Sequence, residues 1–206
     1  MTRKADSRHD TPTTRRSQVE RTAATTRALL DAGRQLFAAR GYAGAGREEI
    51  VALAGVTRGA LYHHFGDKLG LFKAVVEEVE ADVTDQIAAA VDFAAGDARQ
   101  ALIDASLHFL DAATDPAVRR IMLDASAVLD WQEWRAIREA HGLGLTKLAL
   151  TTAMEAGVID PQPVDPLAHM LLAALNEAAT LVSQADDPAA TRSEVGHSIE
   201  WLLNRF

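Results

Sequence analysis

From Leu69 to Val91 the apolar side chains return every three or four residues: Leu69, Phe72, Val76, Val79, Val83, Ile87 and Val91. A spacing near 3.6 sustained over more than twenty positions specifies one long amphipathic helix with a single greasy face, expected here to end near Ala95-Gly96. The same period governs the rest of the chain. Ahead of the long helix it marks three shorter ones, from Thr22 to Gly41, from Arg47 to Ala54 and from Arg58 to Phe65. After it the helical stretches are 97–113, 116–123, 126–140, 143–156, 165–184 and 188–204, separated by Asp115-Pro116, the Gly142 and Gly144 pair, Gly157 with two prolines, and Asp186-Asp187-Pro188. No window alternates apolar and polar residues with period two, and no repeat of solenoid length is present, so the fold class expected is all-α.

Composition adds a charge asymmetry. The whole chain carries 21 Lys+Arg against 29 Asp+Glu, a net charge of −8 that argues against a polyanion partner. Residues 1–66 nevertheless hold 11 basic and 6 acidic side chains, net +5, and residues 67–206 hold 10 and 23, net −13. One end suits a polyanion and the other repels it. Residues 1–20, with five Lys/Arg and little to bury, read as a disordered basic arm. There are no cysteines, hence no disulfide framework and no thiolate or Cys-ligated metal chemistry. No apolar run reaches the roughly 20 residues of a membrane span, the start of the chain is polar where a signal peptide is apolar, and a cytoplasmic protein is expected.

The segment Ile50 to Phe65 is the most informative. Ile50, Leu53, Val56, Leu61 and Phe65 can close a small core, Gly55 permits a tight turn and Thr57 can cap the next helix, which together make a helix-turn-helix. Outside remain Arg58, Gly59, Tyr62 and His63, with His64 and Lys68 at the far edge. A guanidinium that forks onto a guanine edge, a glycine that admits close backbone approach, and groups that reach phosphate suit a DNA face. The adjacent imidazoles of His63 and His64 diverge by about 100° on a helix and make a poor metal pair, so neither a metal nor any other cofactor is expected.

Leu36 to Tyr42, Glu49-Ile50, Ala54-Gly55-Val56, Gly59 to Phe65, Asp67-Lys68 and Leu71-Phe72 together resemble the DNA-binding domain of the tetracycline-repressor (TetR) family, over about residues 24–75. The resemblance implies a helix-turn-helix domain over 21–66, joined by the long helix to a helical ligand-binding and dimerisation domain over 67–206. It places Tyr62, His64 and Lys68 where members touch the DNA backbone, and Arg58, Gly59 and His63 where they approach bases. One departure stands out: Gly46 occupies a position often held by a phosphate-binding Thr, and Arg47 beside it is the candidate replacement. The partners implied are a pseudo-palindromic DNA operator, a small-molecule effector and a second copy of the chain.

In the second domain Trp131 and Trp134 are candidate walls of an effector pocket, with Phe93, Phe109, Met122 and Leu129 completing the lining and His108 as a polar anchor. The neighbouring Asp111, Asp124, Asp130 and Glu133 offer charge for a cationic effector. Two apolar stripes, one carrying Leu171, Ala174, Leu175, Ala178 and Leu181 and the other Ile199, Leu202 and Leu203, supply the expected dimer interface. The rival reading is a helical small-molecule-binding protein or enzyme that ignores DNA. Its acid/base candidates, His108 with Asp111 and Asp130 with Glu133, have no nucleophile or phosphate-cradling glycine pattern beside them.

Overall fold

A computed structural model describes residues 18–93 and 96–205, and among these the chain is helical throughout, with nine helices and no strand. In order they are α1 (Gln18–Gly44), α2 (Arg47–Leu53), α3 (Arg58–Phe65), α4 (Lys68–Ala90), α5 (Ala98–Ala112), α6 (Pro116–Val128), α7 (Trp131–Glu155), α8 (Val164–Gln184) and α9 (Pro188–Leu203). The arm expected over 1–20 lies outside the described residues except for Gln18, Val19 and Glu20, which form the first turn of α1. Among the described residues no helix is long and apolar enough to cross a membrane.

Aspartates start most of these helices. The carboxylates of Asp67, Asp97, Asp115, Asp130 and Asp187 each accept a backbone N–H from the first turn of α4, α5, α6, α7 and α9. Each satisfies a donor the helix cannot, a contribution of about 1 kcal/mol. Pro116 and Pro188 follow two of these caps at the first helical position, where the missing N–H costs nothing.

Two expected boundaries are corrected. Residues 126–140 and 143–156 do not form a pair of helices: residues 126–128 close α6, and α7 runs unbroken through Gly142 and Gly144. A glycine inside a helix costs about 1 kcal/mol, but Gly142 lets α8 come close: a Cβ there would stand 2.9 Å from Leu172 Cδ1 of α8, which would have to move. The long helix α4 ends at Ala90, where Val91 turns extended, short of the expected end near Ala95-Gly96.

The core is continuous from end to end of the first domain and beyond it. Leu29 and Phe37 of α1, Ile50 of α2, Leu61 of α3 and Phe72 and Val76 of α4 pack in one cluster with Ile121 and Ala125 of α6 and Trp134 and Ile137 of α7. Phe72 is its hub, with the rings of Phe37 and Tyr42 each 4.9 Å away. A second cluster joins α5, α7, α8 and α9 through Leu102, Leu150, Leu171, Leu175 and Leu203.

Candidate nucleic-acid interface

Gly55, with φ of +64°, turns the chain between α2 and α3, and Thr57 Oγ1 accepts the Ala60 N–H at 3.3 Å to start α3. That leaves Arg47, Thr57, Arg58, Gly59, Tyr62 and His63 exposed together. Tyr62 is their centre. Its hydroxyl accepts from Arg58 Nη2 at 3.4 Å and Arg47 Nη1 at 3.3 Å, and the Arg58 guanidinium sits 5.6 Å from the ring centroid. The hydrogen bond from Arg58, followed by the positive charges of Arg47 and Arg58, holds the phenol below its ordinary pKa. Gly46 caps α2 without a hydroxyl, its N–H donating to Glu49 Oε2 at 3.3 Å, and Arg47 occupies the first helical position beside Tyr62. Glu48 Oε1 stands 3.2 Å from Arg58 Nη1.

His64 and Lys68 are tied inward. The Thr26 hydroxyl donates to the Thr22 carbonyl, so it accepts from His64 Nδ1 at 3.0 Å. Lys68 Nζ donates to the carbonyls of Tyr42 at 2.8 Å and Ala45 at 3.2 Å, and lies 4.1 Å from the Tyr42 ring centroid. Burial pushes its pKa down, as does the charge of Arg47. Besides any phosphate contact, Lys68 therefore clamps the end of α1 to the start of α4.

Phe109, Met122 and Trp134 do come together, as walls of a cavity between α4, α5, α6, α7 and α8 that holds about 550 Å³ of empty space, its mouth included. The other four pocket candidates do not line it. Trp131, at the first position of α7, is 69% exposed and borders an adjoining groove that shares Trp134 and Arg138 with the cavity. Leu129 is buried in the first-domain core, Phe93 packs against the cluster of Val83, Ile87, Val91 and Ala101, and His108 faces solvent with its Nδ1 4.0 Å from Asp111. The acidic set is likewise engaged elsewhere: Asp111 pairs with Arg192, Asp124 accepts from the Tyr42 backbone, Asp130 caps α7 and Glu133 pairs with Lys73. The charged residues that do line the cavity are Glu80, Arg119 and Arg138. Glu80 lies at stripe spacing on α4, between Val76 and Val83, as Lys73 does between Leu69 and Val76, and Arg138 lies one turn beyond Trp134.

Residues 29–75 match the family model described as bacterial regulatory proteins, tetR family, and residues 99–206, more than half of the chain, match that of the tetracyclin repressor-like C-terminal domain. The chain belongs to the TetR family of ligand-responsive DNA-binding regulators. A TetR-family transcriptional regulator from Pectobacterium atrosepticum has a similar crystal structure, with 30% identity, a TM-score of 0.79, and coverage of 91% of this chain and 96% of that one. The HTH-type transcriptional regulator AcrR of Shigella flexneri is 32% identical over 97 residues, 47% of this chain and 45% of AcrR. The HTH-type transcriptional repressor BepR of Brucella suis biovar 1 is 45% identical over 62 residues, 30% of this chain and 29% of BepR. The matched stretches thus span less than half the length of these two curated relatives.

For a TetR-family chain the free faces of α8 and α9 are the candidate dimer surface, and here the structure redraws the expectation. Leu171, Leu175, Ala178 and Leu203 are buried in the subunit's own core, and Ile199 is half-buried against it. Ala174, Leu181 and Leu202 remain exposed. Sequence reasoning missed Met170 of α8, 63% exposed, and Trp201 of α9, 58% exposed, two further large apolar side chains exposed on the same helices.

Proposed function

We propose that this chain is a homodimeric repressor that grips a pseudo-palindromic DNA site through α2 and α3 and releases it when a small molecule fills the cavity. The observation that carries the reading is the double life of α6. Val118, Arg119 and Met122 of this helix line the cavity, while Ile121 and Ala125, one step round it, are buried in the core of the DNA-binding domain. Asp124 on the same helix accepts the backbone N–H of Tyr42 at 2.5 Å, and the carbonyl of Tyr42 accepts from Lys68 at the head of α4. A guest that shifts α6 must therefore shift the end of α1, and with it the loop that sets α2 and α3. Two recognition helices read successive major grooves only when spaced by about 34 Å. An effector that prefers another spacing lowers DNA affinity by the coupling free energy, about 1 to 3 kcal/mol.

Arg58, Gly59 and His63 are assigned to base edges and Arg47, Thr57 and Tyr62 to the backbone, in keeping with their common exposure, while His64 and Lys68, half-buried behind them, are assigned to the backbone at its edge. Selection of duplexes from a random pool tests the reading. It should enrich two inverted half-sites about one helical turn apart, and enrichment of a single half-site or of nothing would refute the dimeric operator.

A further inference from the structure

An ion pair is walled into the cavity with one of its buried nitrogens left without a hydrogen-bond partner. Arg138 Nε of α7 lies 3.5 Å from Glu80 Oε1 of α4, without the geometry of a hydrogen bond, and that nitrogen is buried with no partner. Glu80 is 5% exposed. The guanidinium instead lies near two aromatic rings, 4.8 Å from the Trp134 centroid and 5.9 Å from that of Phe109. The other polar groups of the cavity are committed. Ser126, Thr180 and Ser183 donate to the carbonyls of Leu123, Asn176 and Thr180, and Arg119 donates to those of Ser183 and Ala185. Arg138 is left as a planar fork of donors beside an apolar space.

Resting on the reading of this cavity as the effector site, we propose that it takes a small aromatic carboxylate, its ring among Phe109, Met122 and Trp134 and its carboxylate in the fork of Arg138. A carboxylate matches the fork in shape and charge, forming two parallel charge-assisted hydrogen bonds where Glu80 now forms none. Glu80 can yield the guanidinium. Burial pushes its carboxyl toward the neutral form, opposed by the charges of Arg138 and His141. A cation fits poorly, because it must sit beside a guanidinium whose charge is permanent. The acidic residues once available to attract one are engaged outside the cavity.

Calorimetric titration of the full chain with 3-phenylpropionate, 3-phenylpropionamide and 3-phenylpropylamine separates the alternatives, since the three share a ring and differ in charge. The acid should bind about tenfold or more tightly than the amide, and the amine most weakly. In Arg138→Gln the preference for acid over amide should vanish. Should that variant fold poorly with Glu80 left unpaired, the double variant Glu80→Gln/Arg138→Gln removes both charges and should bind acid and amide alike. The acid preference should survive in Glu80→Gln alone. Equal binding of acid and amide by the wild type, preference for the amine, no binding of any of the three, or an acid preference that persists without Arg138 would each overturn the proposal. Binding of the unliganded protein to its selected duplex, measured alongside, keeps the two readings apart. Intact DNA binding without an acid preference sinks the ligand class alone, whereas an Arg138-dependent acid preference in a protein that ignores DNA upholds the ligand class and sinks the repressor.

Discussion

The carboxylate of Asp124 accepts the backbone N–H of Tyr42 across 82 residues, at 2.5 Å, and so ties α6 to the end of α1. Gly41, just before that N–H, has φ of +73°, and a Cβ there would lie 2.7 Å from Asp124 Oδ2. The glycine that ends the regular part of α1 is thus also the opening through which α6 reaches the DNA-binding domain. Replacing Asp124 by Ala should lower stability by about 1.5 to 3 kcal/mol, as for loss of a charged hydrogen bond, and should weaken the effect of an effector on DNA binding. Urea unfolding reads the first and a DNA titration with and without effector the second. A variant of unchanged stability would mean that the contact contributes nothing.

If Arg58 meets DNA, Glu48 competes for it. Glu48→Gln removes a carboxylate 3.2 Å from Arg58 Nη1 and leaves the fold of α2 intact, because Glu48 is exposed. DNA affinity should rise several-fold at low salt and the gain should shrink as salt screens it. Equal affinity of variant and wild type at low salt would place Arg58 away from the DNA.

Lys68 and Arg58 should fail differently. Lys68→Ala loses bonds to the Tyr42 and Ala45 carbonyls, so it should lower thermal stability and weaken binding to operator and scrambled duplexes alike. Arg58→Ala should leave stability unchanged and lose the preference for operator, because base edges carry the sequence and phosphates do not.

Charge placed on the exposed face of α8 and α9 should split the dimer. Leu181→Glu with Trp201→Glu introduces two carboxylates into an apolar face without touching the subunit core, and sedimentation should then show the 22.1 kDa monomer. Leu175 is the wrong site for this test, since it is buried within the subunit and a charge there unfolds it.

Glu80 should make stability fall with pH. Its carboxyl is raised in the folded chain, so between the ordinary carboxylate range and its folded value the native state holds a proton the unfolded state has lost. Stability is then fully present below that range and declines as pH rises through the folded value. Glu80→Gln cannot ionise, and its stability relative to wild type should increase with pH over that window. A constant difference between the two proteins would show that burial leaves Glu80 unperturbed.

Much of this was legible in the sequence because its causes are local. The turn at Gly55 and the Thr57 cap are written within a few residues of where they act. What stayed hidden depends on a distant neighbour. Gly142 and Gly144 read as a break until Leu172 is seen pressed against the first of them. The stripes of α8 and α9 are broad, and periodicity fixes their width but not which edge meets the subunit's own core, so Leu171, Leu175, Ala178 and Leu203 were assigned to a partner while Met170 and Trp201 were passed over. Trp131 and Trp134 lie three apart, yet only Trp134 reaches the cavity, a choice made by the neighbouring helices and not by the spacing.

The central claim, that the surface of Arg47, Arg58 and Tyr62 is what holds DNA, is tested most directly by the salt dependence of binding to the selected duplex. With about six to eight phosphates neutralised by the dimer at about 0.9 per phosphate, the log-log slope should lie near −5 to −7. In Arg47→Ala it should become shallower by about 2, one phosphate lost from each subunit. A slope near zero in the wild type, or one that Arg47→Ala leaves unchanged, would mean that DNA is held elsewhere or not at all.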